Sequence, residues 1–153
     1  MWYSNKDFDI WIIQQNNWGN WNKGTTFNIG FLELKDSYDY FILNDLDTIP
    51  TTNLPFYQNF NHKFKTILNN QLLHLIGYQF CLGGMFIFNK HIFEKINGFS
   101  NMFNNWGRED RELQNRLLKN NIIVNKEYLN SDFSTEEHNT DFNYWTQKNN
   151  KKL

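Results

Sequence analysis

The sequence predicts an α/β domain in which a mixed sheet is flanked by helices. Short apolar runs of strand length alternate along the chain with segments whose apolar residues recur at helical spacing. No internal repeat or linker interrupts this alternation, and 153 residues suit one domain with its own hydrophobic core. We therefore expect residues 1–153 to form a single domain that ends in a polar tail over residues 141–153.

The elements of the first half follow from apolar runs and helix caps. Residues 9–13 form a short apolar run, which indicates a buried strand. Thr25 or Thr26 is a candidate N-cap for a helix that ends near Leu34, because apolar side chains recur on one of its faces. Residues 38–43 form a second apolar run, and we expect a strand there that leads into two aspartates.

The elements of the second half are predicted in the same way. Residues 72–88 indicate one or two strands around a pair of glycines. Residues 89–96 indicate a short helix for which Asn89 is a candidate cap. Leucines at helical spacing indicate a helix over residues 109–119, and residues 122–124 indicate a final strand.

Composition argues against several classes of protein. The net charge of -1 provides no basic footprint for nucleic acid, and one cysteine, Cys81, allows neither an internal disulfide framework nor a CxxC zinc site. The apolar run over residues 80–88 is far shorter than the roughly 20 residues of a membrane helix, and the first residues lack the layout of a signal peptide. We expect a soluble protein without a membrane anchor, in the cytoplasm, which could be that of a host cell.

Two aspartates at the end of a predicted strand form the first candidate site. Side chains alternate along a strand, so Asp45 and Asp47 are expected to point to one face. Two carboxylates there are suited to hold Mg²⁺ or Mn²⁺ on a diphosphate. A solvated acidic turn is the alternative, because Asp-x-Asp is a common pattern. The apolar run 41–43 favours the metal site, since it places the acids at a strand end, where α/β proteins bind ligands.

A second candidate is Asp110, in the first turn of the predicted helix 109–119. Helical counting places it on the face of the helix leucines, whereas Glu109 and Glu112 are expected to point elsewhere. A buried carboxylate is costly without a partner or a function, so we interpret Asp110 as a general base. The alternative is an acid that interacts with the helix dipole, which suits Glu109 better. The dipole lowers a carboxyl pKa, so burial would have to offset it.

Trp106 and His138 are weaker candidates. Trp106 lies between Asn105 and Gly107, in the loop that leads into the acidic helix. It either covers the core or forms a wall against a sugar ring or a diphosphate. His138 lies in a polar region, where a single histidine is usually solvated.

Four short motifs stand out in their order and spacing over residues 7–140. They are Trp21-Asn22-Lys23 with Phe27-Asn28-Ile29-Gly30, then Tyr38-Asp39-Tyr40-Phe41 through Asp45-Leu46-Asp47-Thr48-Ile49-Pro50, then Gly83-Gly84 with Ile96-Asn97-Gly98-Phe99, and finally Trp106-Gly107-Arg108-Glu109-Asp110-Arg111-Glu112-Leu113. Together they resemble the catalytic domain of the β-1,4-galactosyltransferase family. The resemblance implies a GT-A-like mixed sheet, here without the family's first nucleotide-binding strand and basic nucleobase-binding segment.

The resemblance implies a metal site for Mn²⁺ or Mg²⁺. Asp47 would be the ligand at the strand end, and His138 would match the family's late metal ligand. Met or His fills the remaining ligand position in the family, where this chain offers Thr135 or Glu136. We favour Glu136, because it lies two residues before His138 and therefore on the same face of an extended strand.

The resemblance also implies the donor and acceptor contacts. Lys23 would contact the donor nucleotide or its phosphates, and Asp45 would face the ribose and the donor sugar. Gly84 would let that sugar approach the backbone, Trp106 would move with its loop as the donor binds, and Tyr78 would lie near the acceptor wall.

The implied activity is an inverting transfer of a hexose from a UDP-sugar to a carbohydrate hydroxyl. Glu109 would contact hydroxyls of the donor sugar, and Asp110 would be the base. Cys81 stands where the family commonly has Tyr, and the smaller side chain leaves room for a 2-acetamido group. Both galactose and N-acetylgalactosamine are therefore candidate sugars.

Three alternatives stay open at the level of sequence. The chain could be a non-catalytic member that binds a sugar or a nucleotide, or a partial domain that a partner chain completes; a homo-oligomer is a further candidate assembly. An unrelated metal-dependent hydrolase is disfavoured, because paired histidine and acid motifs are nearly absent.

Overall fold

The protein is described by a computed structural model over residues 8–16, 19–50, 69–78, 80–126 and 133–134. The elements in chain order are α1 (Lys23–Leu34), β1 (Tyr40–Asn44), β2 (Ile49–Pro50), β3 (Gln71–Ile76), β4 (Met85–Asn89), α2 (Lys90–Lys95), α3 (Glu109–Lys119), β5 (Ile123–Asn125) and β6 (Phe133–Ser134). These elements confirm the predicted α/β class.

The main sheet has four strands in the order β1-β4-β3-β5. Strand β4 runs antiparallel to both β1 and β3, whereas β5 runs parallel to β3, so the sheet is mixed as predicted. Strands β2 and β6 form a separate antiparallel pair. The register pairs Asn44 with Met85, and the end of β1 therefore lies beside the residues that precede β4.

The core lies between this sheet and the three helices. Every residue of β4 is buried, as are all but the first of β3, so both faces of these strands are covered. This explains their nearly continuous apolar sequences. Aromatic rings fill much of the interior, and Phe88 stacks on Phe93 of α2 with ring centroids 4.8 Å apart. Leu113 and Leu117 attach α3 to the same core.

Several predicted elements are confirmed, and their caps follow local chemistry. The predicted strand pair around the two glycines is β3 and β4, and the helix over residues 109–119 is α3. Asn89 caps α2, because its side-chain Oδ1 accepts a hydrogen bond from the backbone N–H of Ile92. No helix in the described part of the chain has the length and apolar character that crossing a bilayer requires.

Two predictions for the first 26 residues are wrong. Residues 9–13 pair with no strand of the described chain, and Ile10 and Ile12 are 77% and 82% exposed. This segment instead lies along α1, where a Cβ added to Gly30 would be 2.7 Å from Ile13.

The second error concerns the N-cap of α1, which is Asn22 and neither Thr25 nor Thr26. The side-chain Oδ1 of Asn22 accepts from the N–H of Thr25 at 2.8 Å. The Thr26 hydroxyl lies inside the first turn and donates to the Asn22 carbonyl oxygen at 3.0 Å.

Candidate functional site

Three elements bring charged side chains together at one end of the sheet. The Lys23 ammonium, at the start of α1, lies 2.9 Å from Asp45 Oδ2 and 2.8 Å from Asp110 Oδ1. Their side chains are 11%, 24% and 15% exposed, so this bridge is largely shielded from water. With Glu109 beside Asp110 they form what we call the charged cluster. The structure thus brings together four residues that were predicted to belong to the site.

The turn after β1 carries the two aspartates. Strand β1 ends at Asn44, and the N–H of Thr48 donates to the Asp45 carbonyl oxygen at 2.9 Å, which closes a turn. Strand alternation is therefore not what orients Asp45 and Asp47, because β1 ends before both of them, although Asn44 and Leu46 are exposed and the two aspartates are partly buried. Asp45 enters the charged cluster, and Asp47 lies partly buried in the same turn.

The first turn of α3 carries three acids, of which Glu109 and Asp110 belong to the charged cluster, and Glu109 is the more buried of these two. It is 6% exposed and shares its face with Leu113 and Leu117, at spacings of four residues. The prediction that Glu109 points away from the core is wrong, because the buried face is set by the 109-113-117 row. Asp110 lies at the border of that face and reaches Lys23.

Burial controls the protonation of both acids. It raises the pKa of Glu109 to about 7, with a further increase from neighbouring Asp110. Burial also raises the pKa of Asp110, although Lys23 opposes this. Burial alone would lower the pKa of Lys23, but Asp110, Asp45 and Glu109 raise it above its ordinary value. Lys23 therefore stays charged among these three carboxyl groups, and burial raises the pKa of both Glu109 and Asp110.

Glu109 also carries a polar atom suited to a ligand. Its Oε2 is buried and has no hydrogen-bond partner among the described residues. A buried acceptor without a donor is unfavourable. A hydroxyl group brought into the site would supply that donor.

Two glycines, Gly83 and Gly84, connect the charged cluster to the sheet; we call them the diglycine segment. Gly84 donates its N–H to Asp45 Oδ2 at 2.9 Å and has a φ of +93°. A Cβ there would be 2.3 Å from the Ile76 carbonyl oxygen. A Cβ at Gly83 would be 3.0 Å from Asp110 Oδ2. Side chains at either position would displace the groups that form the site.

The loop before α3 presents Trp106 to solvent beside the acids. Asn105, Gly107 and Arg108 all have positive φ, at 60°, 108° and 78°. The N–H of Asn105 donates to the Trp21 carbonyl oxygen, which ties this loop to the segment before α1. Trp106 is thus held on a short, sharply turned loop next to the charged cluster.

The segment between β3 and β4 holds Tyr78 and Cys81. Tyr78 is exposed and stacks on Phe80, with ring centroids 5.3 Å apart. Cys81 is partly buried, and burial raises the pKa of its thiol. Phe80 was not predicted from the sequence, although an aromatic residue two positions from Tyr78 was a usable signal. His74, whose ring contacts the diglycine segment, was not predicted either.

The predicted metal ligands are only partly within the described residues. Asp47 is described, whereas Glu136, its alternative Thr135, and His138 lie outside. Across the described ranges, no three His, Cys, Asp or Glu side chains are grouped so as to hold a metal ion. The ligand set of Asp47, Glu136 and His138 therefore stays a prediction.

Comparisons with known proteins agree with this architecture. Residues 68–138 match the family described as the N-terminal domain of galactosyltransferase, and residues 4–60 match the N-terminal region of glycosyl transferase group 7. A β-N-acetyl-D-glucosaminide β-1,4-N-acetylglucosaminyl-transferase of Lymnaea stagnalis is 39% identical over 117 residues, which are 73% of this chain and 24% of that protein. Human β-1,4-galactosyltransferase 4 is 31% identical over 114 residues, or 72% of this chain and 33% of the relative.

A solved structure has the same fold. It is a variant of Drosophila β-1,4-galactosyltransferase 7 in complex with manganese, UDP-Gal and xylobiose, with a TM-score of 0.67 at 23% identity, over 85% of this chain and 57% of that one. The chain spans 24% and 33% of the lengths of the two curated relatives above. The two family matches extend over both halves of the sequence and include the four residues of the charged cluster and both glycines of the diglycine segment. The chain belongs to the β-1,4-galactosyltransferase family.

Proposed function

We propose that the chain carries the donor-binding and base-bearing part of a metal-dependent, inverting glycosyltransferase. It moves a hexose from a UDP-sugar to a hydroxyl of a carbohydrate acceptor. The observation that supports this most is the charged cluster, in which Lys23, Asp45, Glu109 and Asp110 converge beside the diglycine segment. A family relative solved with manganese, UDP-Gal and xylobiose supports the same classes of cation, donor and acceptor.

Asp110 is the general base of the proposed reaction. As the acceptor oxygen forms a bond to the anomeric carbon, its proton passes to Asp110, and the bond from that carbon to the diphosphate oxygen breaks. Attack from the face opposite the leaving group inverts the anomeric centre. Burial raises the pKa of Asp110, which makes its carboxylate a stronger base.

Lys23 stabilises the leaving diphosphate, beside the residues that would hold a divalent cation. The Lys23 ammonium is held between two carboxylates at the mouth of α1, where it can bind a phosphate oxygen. Asp47 would hold Mn²⁺, or Mg²⁺, with Glu136 and His138, and its carboxylate is a hard ligand that suits either ion. When bound, the cation neutralises charge on the diphosphate.

The remaining residues select and enclose the sugars. Glu109 Oε2 accepts a hydrogen bond from a donor-sugar hydroxyl, since it has no other partner among the described residues. Cys81 leaves room beside that sugar, so we propose galactose or N-acetylgalactosamine as the transferred group. Tyr78 provides an exposed aromatic face for the acceptor, and Trp106 provides one on the loop that moves as the donor binds.

The cytoplasmic location and the partner chain or homo-oligomer stay predictions from sequence.

Turnover tests the proposed function directly. The purified chain is incubated with Mn²⁺, UDP-Gal or UDP-GalNAc, and a panel of carbohydrate acceptors, and acceptor-dependent release of UDP is measured. Asp110→Asn should lower kcat by about 10²–10⁴-fold, because it removes the base. Glu112→Gln is the control, since this carboxylate on the same helix pairs with Arg116.

Binding is measured separately by the thermal shift with UDP and Mn²⁺. We expect a shift only with both present, its loss in Asp47→Ala, and its retention in Asp110→Asn and in the exposed control Asp36→Ala. A shift without turnover for any donor would identify a binding module instead of an enzyme. A shift that survives Asp47→Ala would refute the metal assignment.

A further inference from the structure

A fully buried histidine, His74 of β3, lies beneath the diglycine segment. Its Nε2 is 2.8 Å from the carbonyl oxygen of Gly83. A carbonyl oxygen only accepts hydrogen bonds, so Nε2 carries the hydrogen in this contact. Burial lowers the pKa of His74, which keeps the ring neutral near pH 7. The contact is thus a buried, neutral hydrogen bond from the sheet to the loop.

The local backbone is arranged to make this contact. The pairing of β3 with β4 shifts register between His74 and Ile76, and such bulges change the direction in which a side chain points. Gly77 follows with a φ of +138°. A Cβ on Gly77 would be 2.8 Å from His74 Nε2 and 2.0 Å from the Gly83 carbonyl oxygen. Only glycine at position 77 leaves room for the hydrogen bond.

The other side of the diglycine segment faces the charged cluster. Gly84 and Asp45 exchange two hydrogen bonds of 2.9 Å, one from the Gly84 N–H to the carboxylate and one from the Asp45 N–H to the Gly84 carbonyl. Gly83 packs against Asp110, whose Oδ2 would lie 3.0 Å from a Cβ built there. A shift of the segment would therefore move groups on both sides of Lys23.

We propose that His74 is a positioning residue for the transfer reaction, because its hydrogen bond to Gly83 holds the diglycine segment against Asp45 and Asp110. The inference rests on the proposed function. A histidine that only fills space is replaceable by an apolar side chain of similar size. A positioning histidine requires a hydrogen-bond donor at the place of Nε2, so the two roles respond differently to substitution.

The kinetic test compares His74→Leu, which removes the donor, with His74→Gln, whose side-chain amide retains one. Leu72→Ala, on the same strand and in the core, controls for loss of stability. We expect His74→Leu to lower kcat/KM for the UDP-sugar by about 10²-fold, as misplacement of a site by about 1 Å does. His74→Gln should recover most of this loss, and Leu72→Ala should stay near wild type. Should His74→Leu not fold, His74→Met takes its place.

A second measurement does not depend on turnover. Amide hydrogen exchange of Gly84 and Asp45 reports on the two hydrogen bonds between them. We expect faster exchange at both amides in His74→Leu than in Leu72→Ala at equal global stability, with protection restored in His74→Gln. Unchanged exchange, or wild-type kcat/KM in His74→Leu, would overturn the inference. Failure of the wild-type chain to turn over any donor would overturn the proposed function, while the exchange result would still decide the role of His74 in holding the segment.

Discussion

At the scale of single residues, the site contains carboxyl groups whose burial disfavours their ionised form. Glu109 is 6% exposed, and among the described residues nothing donates to its Oε2. Burial therefore favours its protonated form. Such a group lowers the free energy of unfolding at neutral pH, but it also offers a hydrogen-bond acceptor to a ligand in the site.

This cost predicts how stability depends on pH. Burial raises the pKa of Glu109 from 4.5 to about 7, so the folded chain binds this proton more tightly than the unfolded chain. Its stabilising contribution is full below about pH 4.5 and is lost as pH rises through 7. As pH rises between these limits, wild type should lose on the order of 3 kcal/mol of its free energy of unfolding. Glu109→Gln cannot ionise at this position, so we expect it not to show this loss.

Urea unfolding at pH 5 and pH 8 measures this effect. The free energy of unfolding of Glu109→Gln relative to wild type should be larger at pH 8 than at pH 5. Glu112→Gln, whose carboxylate pairs with Arg116 on the same helix, should show little such change. Equal pH dependence in wild type and Glu109→Gln would contradict the assigned protonation.

Residue types and spacing predicted part of this site, and packing determined the rest. Asp45 and Asp110 were predicted from residue type and spacing and Lys23 from the family resemblance, and the three meet in the structure. The burial of Glu109 was not predicted, because the spacing from Asp110 to Leu113 and Leu117 fits a helix face almost as well as the row 109-113-117. His74 was not predictable, since its direction depends on a bulge in strand pairing that no local pattern reveals.

At the scale of elements, Asn22 joins α1 to the segment that leads toward Trp106. Its Oδ1 caps the helix through the N–H of Thr25, and its Nδ2 donates to the Asn101 carbonyl oxygen at 2.8 Å. The cap places Lys23 at the first helical position. One side chain therefore serves both the start of the helix and the loop connection.

Two substitutions of Asn22 separate these roles. Asn22→Ala should lower the free energy of unfolding by about 1–2 kcal/mol, because the cap and the loop contact are both lost. Asn22→Asp retains an oxygen that can accept from the Thr25 N–H but loses the donor to Asn101. We therefore expect it to recover most of the unfolding free energy that the helix cap contributes. Urea unfolding checks both variants. Equal losses in the two would show that capping is not the main contribution of Asn22.

At the scale of the whole molecule, the sheet was the most predictable part. Strands β3 and β4 are covered on both faces, and their continuous apolar runs reflect this. Residues 9–13 have a similar apolar content but lie along α1 with exposed side chains, because burial depends on neighbours distant in sequence. The burial of Lys23 likewise depends on distant residues, since its partners Asp45 and Asp110 lie 22 and 87 positions away in sequence.

Lys23 links α1, the turn after β1, and α3 through its two ion pairs. Lys23→Met leaves Asp45 and Asp110 without their cation in a largely shielded site. Removing one partner of such a pair costs about 3 kcal/mol, because the remaining charges are poorly solvated. Lys90→Met is the matched control: Lys90 pairs with Asp39, which is 77% exposed, so we expect a loss of about 0–1 kcal/mol.

Urea unfolding at pH 7 measures these losses, and a double substitution identifies their origin. Asp110→Asn in the Lys23→Met background should restore part of the stability, because one unpaired carboxylate is neutralised. Lowering the pH should likewise reduce the difference between wild type and Lys23→Met, since burial raises the pKa of Asp110 and a protonated Asp110 no longer needs a cation. If Lys23→Met and Lys90→Met cost the same, or if Asp110→Asn adds to the loss in full, the bridge does not hold the three elements together. Lys23 would then act only when a donor phosphate is bound.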